Sequence, residues 1–283
     1  MRDRSLLLEV KELLRRYEII PSKRLGQHFL IDEGILDREV KYAGVSAEDT
    51  VLEIGAGLGF LTRKLAERAR HVYAVEIDRR LCQVLNDILS KYDNITIINA
   101  DILKIELPPD VNKVVANIPY SISSGITFKL LNSKISLSVL TYQWEFARRM
   151  TARPGTKCYG RLSVMVSIMA DVEILERIPR IYFFPPPDVD SAIVRILRRN
   201  KYSNIRNFKI FENLVRRLFS FKGKTLRKAL IMILRKSAGK EEALTFINKL
   251  EKEGYPIKKR IFELTPSELI NLANMIYNEG YDV

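Results

Sequence analysis

The chain has 283 residues, 47% of them hydrophobic, which provides for a sizeable core and excludes a disordered or collagen-like polymer. Two cysteines, Cys82 and Cys158, and two histidines, His28 and His71, have no partner at ligand spacing, which argues against a zinc site or a disulfide framework and for free thiols in a reducing compartment. With no secretory leader and no apolar run of about 18 residues, and with a formal net charge of +13, the expectation is a cytoplasmic, metal-free protein with a polyanionic partner rather than a membrane protein.

Leu6, Leu7, Val10, Leu13 and Leu14 share one face of a helix predicted over 5–18. A basic loop, Lys23-Arg24-Leu25-Gly26, follows. Strands predicted at 50–54, 71–76, 95–99, 113–116 and 136–141 then interleave with helices at 58–68, 79–90 and 123–132 and a helical stretch from Trp144. Strands alternating with helices of this length imply parallel βαβ units and a doubly wound α/β sheet. Two more strands, 170–178 and 189–197, flank Pro185-Pro186-Pro187 and suggest a hairpin at one sheet edge. Beyond about residue 205 only helical periodicity remains, at 208–219, 224–236, 241–253 and 266–279, with Thr265 as a cap and Pro266 in a first helical turn. The expected organisation is a sheet domain over 1–204 and an all-helical domain over 205–283.

Val51-Leu52-Glu53-Ile54 runs into Gly55-Ala56-Gly57-Leu58-Gly59, a glycine turn at the carboxyl end of the first long strand, where doubly wound sheets bind nucleotides. Taken alone, the turn is equally a tight strand-to-helix connection, and its spacing is not the GxGxxG of dinucleotide enzymes, which disfavours a dehydrogenase. Glu76 ends the second strand about 20 residues on, where a carboxylate accepts hydrogen bonds from ribose hydroxyls, and Asp101 ends the third. Three ligand-facing groups on three successive strands favour an adenosyl pocket. These residues resemble class I S-adenosylmethionine-dependent methyltransferases of Rossmann-like fold. The resemblance places Asp101 at the cofactor's adenine and Gly55 at its methionine moiety.

The fourth strand delivers Asn117-Ile118-Pro119-Tyr120 to the same edge. An adenine exocyclic amine is a poor nucleophile because its lone pair is delocalised, so transfer to it needs acceptors for the amine hydrogens and a platform for the base. The Asn117 carboxamide oxygen and Ile118 carbonyl suit the first task, Pro119 stiffens the turn, and Tyr120 can stack on an extruded base.

The whole chain resembles the KsgA/Erm family of rRNA adenine dimethyltransferases. The matching motifs are Gln27-His28-Phe29-Leu30, Asn117 to Tyr120, and Phe183-Phe184-Pro185-Pro186-Pro187 through Val189-Asp190-Ser191, and His28 is similar to the archaeal and eukaryotic branch. The resemblance implies a catalytic set of Asn117, Ile118, Pro119, Tyr120 and Phe183, the last facing the target adenine opposite Tyr120. It implies a cofactor-binding set of Gln27, His28, Leu30, Gly55, Gly57, Glu76, Ile77, Asp101, Ile102 and Asn117. It also implies dimethylation of two adjacent adenines in the hairpin loop near the 3′ end of small-subunit rRNA, coupled to ribosome small-subunit biogenesis, by a monomer. A non-catalytic assembly factor, Erm-type large-subunit methylation and DNA adenine methylation stay open as alternatives.

Residues 201–236 hold eleven basic residues against a single acid, Glu212, and residues 237–283 hold six against eight. Most of the surplus charge is therefore one stretch at the start of the helical domain. Within it Arg216, Arg217, Lys222, Lys224, Arg227 and Lys228 alternate with Phe219 and Phe221 around a turn, suiting phosphates of structured RNA; the two phenylalanines fit the core better than a base platform. Lys23 and Arg24, with Arg148, Arg149 and Arg153, are expected to extend that surface.

Overall fold

The computed structural model describes residues 4–199, 204–235 and 239–281. In chain order the strands are β1 (Phe29–Leu30), β2 (Thr50–Ile54), β3 (His71–Glu76), β4 (Ile95–Asn99), β5 (Lys113–Asn117), β6 (Leu137–Gln143), β7 (Ala170–Ile178), β8 (Phe183–Phe184) and β9 (Ser191–Arg198). The helices are α1 (Arg4–Arg16), α2 (Glu33–Tyr42), α3 (Phe60–Ala66), α4 (Arg79–Ile88), α5 (Ser123–Leu131), α6 (Trp144–Met150), α7 (Arg161–Met169), α8 (Phe208–Phe219), α9 (Leu226–Leu234), α10 (Gly239–Lys252) and α11 (Pro266–Asn278).

Seven strands form one sheet in the order β4-β3-β2-β5-β6-β9-β7. The first five in that order pair in parallel, and β9 runs antiparallel to β6. The order reverses between β2 and β5, so the loops after these two strands open a crevice at their carboxyl ends. All five residues of β2 are buried, as a central strand covered on both faces requires.

Helix α2 and the strands β1 and β8 were not apparent in the sequence pattern. Helix α2 buries Ile35, Leu36, Glu39 and Val40, so a charged residue occupies a core position and obscures its periodicity. The two-residue strands β1 and β8 pair antiparallel, Phe29 with Phe184 and Leu30 with Phe183, in a ladder too short to predict.

The chain divides into two compact units, Met1–Ala147 with Asp171–Arg198, and Arg148–Ala170 with Arg199–Val283. The expected single boundary at 204–205 thus omits an excursion: residues 148–170 belong with the helical tail. The reason lies in α7, which buries Leu162, Val164, Met165, Val166 and Ile168 and packs on α8 and α11. The turn before it is bound to the same unit by Gly155 N–H donating to the Phe262 carbonyl (2.7 Å) and Tyr159 Oη donating to the Leu264 carbonyl (2.9 Å).

In the first unit α1 lays Leu6, Val10, Leu13 and Leu14 into a core shared with α2, α3 and the strands. In the second, α8 buries Phe211, Leu214, Val215 and Leu218, a spacing of i, i+3, i+4 and i+7, each worth roughly 1.5–3 kcal/mol of apolar burial. Thr265 caps α11 as expected, in a reciprocal box with Glu268. Among the described residues no helix is long and apolar enough to cross a membrane.

Candidate active site

The crevice at the carboxyl ends of β2, β3 and β5 is a cleft of about 1030 Å³, counted out to open solvent. Every residue of the expected cofactor set lines it: Gln27, His28, Leu30, Gly55, Gly57, Glu76, Ile77, Asp101, Ile102 and Asn117. The glycine turn takes its shape from backbone that other residues adopt only with strain, with φ of +75° at Gly55 and +59° at Gly57. A Cβ on Gly55 would stand 3.2 Å from Pro119 Cδ, and one on Gly57 3.3 Å from the Phe29 ring, so each side chain would intrude on the cleft wall.

Glu76 is 5% exposed, and its two oxygens accept from Gly57 N–H and Asp78 N–H, both at 2.9 Å. Burial pushes its carboxyl above the usual range while these amides oppose the shift. With Ile77 N–H as a third backbone donor, the carboxylate still has acceptor capacity for a ligand hydroxyl. Ile77, 48% exposed, and the buried Ile102 both contribute apolar lining to the cleft. Asp101 is fixed by Leu103 N–H donating to its Oδ1 at 3.0 Å.

The N-terminal loop closes one side. Gln27 Oε1 accepts from Ser22 N–H (2.7 Å) and its Nε2 donates to Asp78 Oδ2 (2.9 Å), which binds the loop to the start of α4. Asp78 also pairs with Arg80, and its carboxyl is lowered to about 2, first by that pairing. His28 Nδ1 lies 2.7 Å from the Pro185 carbonyl, and its ring stacks toward Tyr120 with centroids 6.0 Å apart.

At the end of β5, Asn117 Nδ2 donates to Glu39 Oε2 at 2.9 Å, while Asn117 Oδ1 is buried with no hydrogen-bond partner among the described residues. Pro119 lines the cleft, the Ile118 side chain is buried beneath it, and Tyr120 Oη shares a hydrogen bond with Ser191 Oγ. Phe183 is only 3% exposed, packed in the core where its strand pairs with Leu30; it does not line the cleft wall.

Two carboxylates belong to this site that the sequence pattern did not single out. Glu53, on β2, lines the cleft at 2% exposure with Oε2 lacking any partner among the described residues, and burial raises its carboxyl to about 8. A charge inside an otherwise apolar strand just before a glycine turn was the available signal. Glu39 had none, because a glutamate in a helix ordinarily faces water.

Of the basic residues in the first unit, Lys23 and Arg24 are exposed on a 3-10 turn, and Arg24 also lines the cleft. In the second unit Arg148, Arg149, Arg153, Arg216, Lys224 and Lys228 are exposed, and Arg217 is half-buried. Lys222 Nζ donates to the Lys157 carbonyl (2.7 Å), and Arg227 pairs with Glu251 (3.0 Å). Phe219 and Phe221 are half-buried, the former edge-on to Tyr159. Lys201 and Lys236 lie outside the described residues.

A family model described as ribosomal RNA adenine dimethylase matches residues 21–265. The chain is 45% identical over 266 residues to a probable ribosomal RNA small subunit methyltransferase A of Methanopyrus kandleri, covering 93% of this chain and 95% of that protein. It is 44% identical over 272 residues to the protein of the same description from Pyrococcus abyssi, covering 95% of each. Among solved structures it is similar to a dimethyladenosine transferase from Plasmodium falciparum (TM-score 0.79, 31% identity, 90% of this chain and 99% of that one). It is also similar to the 23S rRNA methyltransferase ErmE (TM-score 0.68, 32% identity, 88% and 99%). The sheet is the doubly wound sheet of class I methyltransferases, followed by a helical C-terminal region, and the chain belongs to the ribosomal RNA adenine dimethylase family.

Proposed function

We propose that this protein dimethylates the exocyclic amines of two adjacent adenines in the hairpin loop near the 3′ end of small-subunit rRNA, in the cytoplasm and during small-subunit biogenesis. It is an rRNA adenine dimethyltransferase, and S-adenosylmethionine is its methyl donor. The single observation that carries the reading is Asn117 Oδ1, a buried acceptor without a hydrogen-bond partner among the described residues, on a side chain that lines the cleft.

The cleft fits the cofactor. Glu76 offers lone pairs to ribose hydroxyls, Ile77 and Ile102 offer apolar surface to the adenine, and the glycine turn leaves room for the methionine chain. The unpartnered oxygen of Glu53 is a counter-charge for an α-ammonium group, and such a cation would return that buried carboxyl to its ionised form. The bound sulfonium supplies an already activated methyl group.

The chain's own residues then prepare the acceptor. Asn117 Oδ1 and the Ile118 carbonyl accept the amine hydrogens, which pulls the nitrogen lone pair out of conjugation. Pro119 holds that turn at fixed φ, and Tyr120, anchored through Ser191, gives the base an aromatic face. A loop adenine is already unstacked, so presenting it costs less than flipping from a duplex. In this reading Phe183, packed in the core opposite Leu30, supports the site and does not serve as an open platform for the base. The exposed cations of the second unit, with Lys23 and Arg24, contact RNA phosphates.

The small-subunit descriptions of the archaeal relatives, at higher identity than ErmE, favour that particle over the large subunit. Incubation with labelled S-adenosylmethionine and separately purified small subunits, large subunits and naked rRNA, followed by mapping of modified bases, tests the reading. Label confined to large-subunit rRNA would overturn it.

A further inference from the structure

We infer that Glu39 is a positioning residue for Asn117, dictating that the amide presents its oxygen, and not its nitrogen, to the cleft. This rests on the acceptor role proposed for Asn117 and adds what enforces it. Glu39 lies on α2, 1% exposed, between two strands. Its Oε1 accepts from Thr141 Oγ1 of β6 (2.5 Å) and its Oε2 from Asn117 Nδ2 of β5 (2.9 Å).

A carboxamide is nearly symmetric in shape, so packing alone does not choose which end faces which way. An ionised carboxylate does choose, because it has no hydrogen to donate: the amide must turn its N–H toward Glu39 and its oxygen away. Donation to an anion also polarises the amide, concentrating negative charge on Oδ1, where the amine hydrogens would be held. A buried carboxylate is costly, and two side-chain donors compensate it among the described residues, so a local arrangement that served packing alone would be better built from apolar residues.

The device has an acid limit. Burial raises the Glu39 carboxyl to about 7, with the Thr141 and Asn117 hydrogen bonds opposing. The charged groups facing it are Arg38 on its own helix, which is engaged by Glu176 of β7, Glu176 itself, and Glu53 of β2. Once protonated, Glu39 can donate to the amide oxygen and let the amide invert, so kcat falls as pH drops through about 7.

The test compares kcat against pH, from 5.5 to 9, for wild type, Glu39→Gln and Asn117→Ala on small-subunit particles, with cofactor affinity by calorimetry. A glutamine can donate or accept and no longer dictates the amide. Expected for Glu39→Gln is a kcat lower by on the order of tenfold at pH 8, cofactor affinity within about twofold of wild type, and no acid limb near neutrality. Wild-type kcat, or an acid limb that persists unchanged and so belongs to Glu53, overturns the inference. If Glu39→Gln does not fold, Thr141→Val decides: it keeps the carboxylate but removes one hydrogen bond that stabilises its charge, so the limb must move to higher pH, and an unmoved limb overturns the inference. Full activity in Asn117→Ala would instead sink the acceptor reading itself.

Discussion

The hydroxyls of Tyr120 and Ser191 stand 2.6 Å apart across 71 residues of sequence, so the tyrosine that follows β5 is held from the first residue of β9. Ser191 is fully buried and offers this hydrogen bond from the first residue of its strand. Ser191→Ala should leave the Tyr120 hydroxyl unpaired at a cost of about 1 kcal/mol in stability. It should lower kcat/KM for the RNA by about fivefold through a less fixed ring. Steady-state methylation and denaturant unfolding read the two effects separately.

Asn117→Ala removes the buried acceptor and leaves the Glu39 carboxylate with Thr141 but without its Asn117 donor. Methyl transfer to small-subunit particles should fall at least about 100-fold. Cofactor affinity, measured by calorimetry, should stay within about threefold, since glycine, Glu76 and Glu53 contacts are intact.

Gly57→Ala forces a residue with a Cβ to φ of +59° and sets that atom 3.3 Å from Phe29. The backbone strain should cost about 1–2 kcal/mol in chemical denaturation. Because the same N–H that Gly57 gives to Glu76 fixes that carboxylate, cofactor affinity should drop as well. Affinity equal to wild type would remove the glycine turn from the cofactor site.

Lys224→Glu with Lys228→Glu alters two exposed cations in the basic stretch. RNA affinity should weaken, and the slope of log K against log salt should shrink by roughly 0.7–0.9 per lost phosphate contact. Arg227→Glu should weaken binding less per charge, because that guanidinium is already shared with Glu251.

Glu53 sets a pH dependence of stability in the cofactor-free protein. Its folded-state value of about 8 lies above the ordinary 4.5, so the folded state holds a proton that the unfolded chain releases. The stabilisation this brings is complete below about 4.5 and is lost as pH rises through about 8. Glu53→Gln, which cannot ionise, should therefore match wild type in melting temperature at about pH 3.5 and exceed it at pH 8.5. A difference independent of pH would show that Glu53 titrates normally.

The sheet was legible because its strands are apolar runs ending in glycine or acid, as at Ile54-Gly55 and Val75-Glu76, and because α4 and α8 carry clear one-sided patterns. The nearly continuous apolar run of α7 defeats periodicity, since a buried helix and a buried strand look alike in it. Its packing on α8 and α11, which carries 148–170 away from the sheet domain, is a long-range fact with no local trace. In the site, Gly55, Glu76, Asp101 and Asn117 announced themselves by their place at strand ends, whereas Gln27, His28 and Leu30 were legible only through the family resemblance. Glu39 did not, because what makes it matter is Asn117 and Thr141, remote in sequence and brought to it only by β5 and β6.

The ladder of β1 with β8 joins the loop holding His28 to the segment holding Phe183, four backbone positions in all. The two segments are thus tied as one backbone unit, of which Phe29 and Leu30 line the cleft while Phe183 packs in the core. An insertion between Gln27 and Leu30 would disturb the aromatic segment 183–184 without touching it, and the N-terminal thirty residues are as much a part of the base-side architecture as the proline turn that follows Phe184.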